Sequence, residues 1–591
     1  MNLTRIFRRS HRSSRTPCDT ESQSSSTRRS FLQYGAAAIA GFGFGGLRRW
    51  PSHATTHAGH GMDQLAPPPD IGLLHDQLDP CFNNSPIGPP FTERVPIPPA
   101  IPPQSVTATD DIYSIFESPG VARIVPGFDT PIWGYNLPGL PGISPGPTIL
   151  ARKGRRVVVA FHNNLPPNED PATIIVTTPQ DPSKHPFLTS STVVHLHGIN
   201  TDHFSDGFPD DGDGHKHRRN PGETLQHVYP NNEYQRPATM WYHDHSVHVT
   251  SQHVYRGLKA FYILTDEFED SLRLPGSPLA DPGRGYGVFD VPLAIHDVMI
   301  ANQEIDDHPP GTLIYNNCDH TGAYGDVMCV NAKQQPFLDV ANRKYRFRLL
   351  NGSDSRQYLL ALRLATQLED GPDQPFTLVG ADQGLLFAPL PTTTFHFAPS
   401  ERGEIVIDFS PYPIGARLVL VNLLVDPKDP RLFPIMAFDV TRAEPDTSQV
   451  PPVLRPPEHP ADAQPPSQKR TFAFNRQGGY FSINGQQWDP RRADAFPLLN
   501  TTEEWTLINE AGGWGHPVHL HQGRFRVIDV QGRAPRPGEF EGFKDTVWVG
   551  PNQTIRVVHQ FWDFTGRFVF HCHNGSHEDH DMMSNYEVLP G

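Results

Sequence analysis

Cysteine is scarce in this chain: five among 591 residues, at positions 18, 81, 318, 329 and 572. A fold held mainly by disulfides is therefore excluded, although an oxidising compartment would permit one bridge, with Cys318–Cys329 as a weak candidate. Methionine is also rare, at eight, and forms no methionine-rich segment. Positive charge is in deficit: 49 Lys and Arg against 64 Asp and Glu leave a formal charge of −15. That balance argues against a nucleic-acid partner. Helical runs are few. The apolar stretch from Tyr34 to Gly46 is too short and too glycine-rich to make a good membrane anchor.

What is abundant points to β structure. The chain has 63 prolines and 49 glycines, residues common in turns and poor in helix interiors. Short apolar or alternating runs such as Arg155 to Phe161, Lys344 to Leu350, Gly403 to Phe409 and Thr554 to His559 read as strands. Clusters of Pro, Gly, Asn and Asp separate them, the pattern of sandwiches and barrels. The segment from Arg442 to Arg470 is proline-rich and reads as an extended linker. A softer boundary falls between about Thr265 and Gly287. The length suits roughly three or four domains, and these breaks give three sandwich-sized parts.

The first 54 residues read as a targeting segment. A basic start precedes Thr27-Arg28-Arg29-Ser30-Phe31-Leu32, and the weak apolar stretch follows. This order resembles a twin-arginine export signal, with Ser52-His53-Ala54 as a plausible cleavage site. The expected location is periplasmic or secreted. These residues hold nine Arg and two acidic residues, so their removal moves the formal charge from −15 to −22.

Histidine carries the chemistry. Thirty are present, and four His-X-His pairs stand in two distant regions: His195/His197, His243/His245, His519/His521 and His571/His573. Residues i and i+2 of a strand face one side, so each pair can present two imidazoles to one place. Random placement of this many histidines gives about one or two such pairs. His215-Lys-His217, in a polar loop, is taken as the chance pair. The four others lie in apolar or aromatic strand contexts such as Val193-Val194 and Trp241-Tyr242.

The last pair contains a second site. Alternation turns Cys572 away from His571 and His573. His577 follows at +5 and Met582 at +10, and His516 stands three residues before His519. One thiolate, two imidazoles and a thioether form a blue-copper ligand set; closed zinc sites usually lack methionine. Met583 leaves a one-residue ambiguity, and spacing favours Met582.

These segments resemble the signature motifs of multicopper oxidases: His-X-His-Gly, Trp-Tyr-His-X-His, His-Pro-X-His-X-His and the final His-Cys-His…His…Met. A closer resemblance, to the bacterial spore-coat laccase and bilirubin oxidase branch, rests on several segments. They are Val194 to Gly198, Ser205 to Pro209, Met240 to His245, Lys344 to Asn351 and His571 to Met582. It runs from about residue 85 to the end. It implies an all-β chain of three cupredoxin-like Greek-key sandwiches at 65–268, 285–442 and 469–591, with 443–468 as linker. It also implies four copper ions. The type 1 copper would use His516, Cys572, His577 and Met582, and the type 2 copper His195 and His519. One type 3 copper would use His197, His243 and His573, the other His245, His521 and His571. The cluster would be shared by the first and third domains.

The implied activity is one-electron oxidation of a small reducing aromatic compound coupled to four-electron reduction of O₂ to water. Phenols, aminophenols, aromatic amines and tetrapyrroles are the expected donors. His577 is the expected point of electron entry, and Glu578 and Asp206 match acidic residues that deliver protons. Asp206-Gly207 also reads as a turn dipeptide. A manganous or cuprous oxidase is the alternative, and the lack of a methionine-rich segment counts against the cuprous form. Asp244, His248 and His253 read as structural, and His580 falls off the motif's spacing. His53, His57 and His60 read as part of a flexible tail. The pattern leaves the oligomeric state open.

Overall fold

A computed structural model describes residues 85–167, 174–176, 189–305, 307–316, 322–510 and 513–591. The expected export signal, the tail histidines and Cys18, Cys81 and Cys318 lie outside these residues. Cys329 lies inside them, buried in an apolar core with its thiol 3.5 Å from the Val327 carbonyl oxygen. No helix among the described residues is long and apolar enough to cross a membrane.

The alternating runs form strands as their patterning requires. In Arg156–Asn163 the residues Val157, Val159 and Phe161 are buried and their neighbours less so, the signature of a sheet with one face on a core. Two sheets enclose the first core. One has the order Ala100–Ile101, Gly146–Arg152, Lys259–Thr265, Thr239–Asp244, Val194–His197; the other is built on Asp110–Ala122, Arg156–Asn163 and Thr224–Tyr229. Ile115, Phe161, Leu196 and Tyr242 meet between them.

A nine-stranded and a five-stranded sheet enclose the second core, where Phe347, Ile405, Leu420 and Phe438 pack. The nine-stranded sheet includes Ile174–Val176, which pairs in parallel with Leu313–Tyr315. A five-stranded sheet and a four-stranded sheet enclose the third core, around Phe472, Trp505, Phe570 and Tyr586. The four-stranded sheet has the order Thr546–Val549, His516–Leu520, Gly566–Cys572, Met583–Val588.

The proline-rich segment is extended, as its composition requires, but it is packed. Leu454, Arg455 and Asp462 are buried. Arg455 pairs with Asp266, and Asp462 accepts from Arg524 at 2.7 Å. The segment thus joins parts of the fold as well as connecting them in sequence.

Candidate metal centre

Strand register brings the histidines together. Val194–His197 and Thr239–Asp244 pair antiparallel with His195 opposite His243. His516–Leu520 and Gly566–Cys572 do the same with His519 opposite His571. Rings from the two sheets then interleave: His195 stacks on His521 at 3.9 Å and His197 on His519 at 3.7 Å. All eight paired histidines are buried.

Their nitrogens sort into two kinds. One nitrogen of each of several rings meets a protein acceptor. His195 Nδ1 donates to the Asp206 carbonyl oxygen at 2.6 Å, His519 Nδ1 to that of Asp545 at 2.8 Å, and His243 Nδ1 to that of Asp244 at 2.8 Å. The other nitrogen, Nε2 in each case, has no hydrogen-bond partner, and the same holds for His197 Nδ1 and His573 Nε2. Buried polar atoms rarely go unpaired, and a ring held through one nitrogen and open at the other is how metal-bound imidazole is oriented.

A second group is tighter. Nε2 atoms of His245, His521 and His571 lie 3.2 Å from one another on all three edges. Hydrogen bonds cannot satisfy three converging imidazole nitrogens of which each ring's other nitrogen faces an acceptor. His521 Nδ1 is 2.8 Å from Asp206 Oδ2, and His571 and His245 Nδ1 are 3.2 and 3.5 Å from the two Glu578 oxygens. A metal bonded to nitrogen at about 2 Å fits such a triangle.

On the other face of the Gly566–Cys572 strand, Cys572 enters the third core. Its Sγ lies 3.3 Å from His516 Nδ1 and 3.5 Å from His577 Nδ1, and those two nitrogens are 3.1 Å apart. Met582 packs in the same core as Cys572, and the Cys572 amide donates to the Met582 carbonyl oxygen. Met583 belongs to a separate group with Phe208 and Val569. Of the two methionines, then, Met582 is the one sharing the surroundings of Cys572. His577 is fully buried, with Phe481 stacked on it at 4.3 Å.

Burial sets the protonation of these groups. It lowers the basicity of His195, His197, His243, His519, His521 and His573 well below the usual range, and takes His516 down to about 3. Neutral imidazole is the form that binds a metal. Burial also raises the Cys572 thiol, so the thiolate needs a cation beside it. Asp206 is pushed well above its usual range, first by burial and then by Asp202. Burial acts on Glu578 in the same sense, but His571 and His245 outweigh it and hold that carboxyl below its usual range.

Asp206 occupies a short helix, His203–Asp206, capped by Asp202. Gly207 ends it at φ 82°, where an added Cβ would lie 2.1 Å from the Val194 carbonyl oxygen. The Asp-Gly turn and the buried acid are thus one feature. Gly198, at the end of the first motif, has a related reason: a Cβ there would come within 2.8 Å of Arg402 Nη2 and Asp545 Oδ2.

No spacing in the sequence points to that pair. Asp545 Oδ1 is 2.9 Å from His197 Nε2, and Arg402 and Gln383 from the second part of the chain hold Asp545 in turn. A Lys-Asp pair heading the apolar run Thr546 to Val549 was the available signal. The residues read as structural fit that description. Asp244 accepts from the Val193 amide at 2.9 Å and meets His253 at 2.8 Å. His248 precedes the Thr250–Arg256 helix and contacts the Asp579 carbonyl oxygen, and His580 contacts that of Ser576. A cavity beside the site is lined in part by Trp241, Ser251, Asp354, His573 and Glu578.

Comparison with known proteins places this arrangement. A family model described as multicopper oxidase matches residues 455–591. Bilirubin oxidase from Albifimbria verrucaria is 34% identical over 86% of this chain and 83% of its own length. Laccase from Bacillus subtilis is 32% identical over 84% and 98%. Among solved structures, a laccase from Pediococcus acidilactici matches with TM-score 0.70 at 26% identity, covering 88% of this chain and 98% of that one.

Proposed function

The chain belongs to the multicopper oxidase family, and on that premise we propose how its residues divide the work. It is a copper oxidoreductase that uses O₂ as acceptor, of the laccase and bilirubin oxidase type. His516, Cys572, His577 and Met582 would hold a type 1 copper. His195 and His519 would hold the type 2 ion, and His197, His243, His573 with His245, His521, His571 the type 3 pair. Bound there, four coppers supply four one-electron sites, which matches the four electrons that O₂ needs.

One observation carries this reading. Cys572 stands in the first group while its chain neighbours His571 and His573 stand in the second. Strand alternation alone joins the two sites through a few covalent bonds. Phe481 keeps solvent off His577. Asp206 and Glu578 orient His521, His571 and His245 and lie where protons are needed. Phenols, aminophenols, aromatic amines or tetrapyrroles are the donors, since a methionine-type relay suits readily oxidised compounds. Export by the twin-arginine route to the periplasm or beyond follows from Arg28-Arg29 and its context.

The test is oxygen uptake with a phenol, an aminophenol and bilirubin, set against Mn²⁺ and Cu⁺, by the parent and by Cys572→Ser. The aromatic donors should be oxidised faster, and the variant should lose both the blue colour and turnover. A variant that keeps both overturns the ligand reading. Faster oxidation of either metal ion overturns the donor class.

A further inference from the structure

Imidazoles also gather away from the copper ligands, in the acidic loop that follows Gly207. We propose that Asp213, His215, His217 and His203 form a further metal site for an exchangeable divalent d-block cation such as Zn²⁺. Spacing alone leaves His215-Lys-His217 as coincidence; the tertiary structure gives it a centre. Asp213 Oδ2 lies 3.0 Å from His217 Nε2 and 3.3 Å from His215 Nδ1. Edges of this length also separate the ligand atoms around Cys572 and among His245, His521 and His571. The His203 ring stands 5.1 Å from that of His215 and 6.3 Å from that of His217.

The donors are built in. The side chains of His217 and Asp213 are 0% and 4% exposed, and the His217 nitrogen that faces Asp213 is Nε2. The loop is braced by its own carboxylates: Asp211 accepts from the His217 and Arg218 amides, Asp210 from that of Gly212 and Asp213 from that of His215. Phe204 and Phe208 flank His217 at 5.5 and 5.6 Å. Imidazoles with one carboxylate are a donor set that suits Zn²⁺ or Cu²⁺. His215 is 54% exposed, which leaves one side open for the ion to exchange. His203 opens the helix that ends in Asp206, so an ion here would brace the element that orients His195 and His521.

Zn²⁺ titrated calorimetrically into the copper-loaded full chain tests the proposal, with metal content followed alongside. One Zn²⁺ equivalent is expected, which His215→Ala weakens at least tenfold while copper content and blue absorbance stay unchanged. His203→Gln should act in the same way. Zn²⁺ should also raise the thermal midpoint of the parent and not of His215→Ala, as linkage requires. Zn²⁺ held elsewhere, for example by His53, His57 and His60, is not sensitive to His215→Ala. Absence of Zn²⁺ binding, or binding that neither variant weakens, overturns the site.

Discussion

Asp545 Oδ1 stands 2.9 Å from Nε2 of His197, leaving Nδ1 of that ring as the nitrogen without a partner. His197 is thereby turned to offer Nδ1 to a metal, whereas His195, His243 and His519 are held through Nδ1 and offer Nε2. Arg402 donates to the same Asp545 oxygen at 2.8 Å. The second part of the chain supplies none of the twelve proposed ligands, yet it fixes one of them through this pair.

Asp545→Asn should weaken copper retention in the cluster about 10- to 100-fold, the usual consequence of losing a carboxylate behind a metal-bound imidazole. Copper content after dialysis against a graded chelator measures it. The blue absorbance belongs to the Cys572 site and should remain.

Glu578→Gln should slow reoxidation by O₂ about 10²- to 10⁴-fold, the range for loss of a positioned proton carrier. The carboxylate faces His245 and His571 and lines the adjoining cavity. Stopped-flow mixing of reduced enzyme with O₂ reads this step. Anaerobic reduction of the blue copper should keep its parent rate.

Met582→Leu should raise the potential of the blue copper, because a weak thioether ligand stabilises the oxidised ion and an apolar side chain does not. A rise of about 59 mV would correspond to a tenfold change in the one-electron equilibrium. The side chain is fully buried, and a volume-conserving swap of this kind usually costs less than about 1.5 kcal/mol, so folding should survive. Spectroelectrochemical titration gives the value.

Acid stability should depend on Glu404. Burial raises its carboxyl, but Arg346 and Arg348 outweigh burial and draw it down to about 2. It also accepts from Thr239 at 2.6 Å, which ties the first sheet pair to the second. A lowered carboxyl stabilises the fold above the unfolded value of about 4.3, and that contribution is lost as pH falls toward about 2. Glu404→Gln removes one carboxylate from a buried network in which Arg346 keeps Glu269 and Arg348 keeps Asp290, and the loss of its charge-assisted hydrogen bonds should cost about 1.5–3 kcal/mol near neutrality. The gap in thermal midpoint between parent and variant should therefore narrow as pH drops from 5 to about 2.

The sequence alone determined the chemistry that depends on local spacing. A strand turns i and i+2 to one side and i+1 to the other, so four His-X-His pairs and Cys572 already implied two sites back to back. The motif residues and strand runs carried the family and the β fold for the same reason: their periodicity is local. Tertiary structure decided everything that depends on packing between distant segments. It put Met582, and not Met583, in the core of Cys572. It covered His577 with Phe481. It brought Arg402 to Asp545 across 143 positions, and it set His203, from the helix before Gly207, beside His215 and His217 of the acidic loop. No short-range period encodes such contacts, because register and sheet packing bring these residues together only once the whole fold has formed.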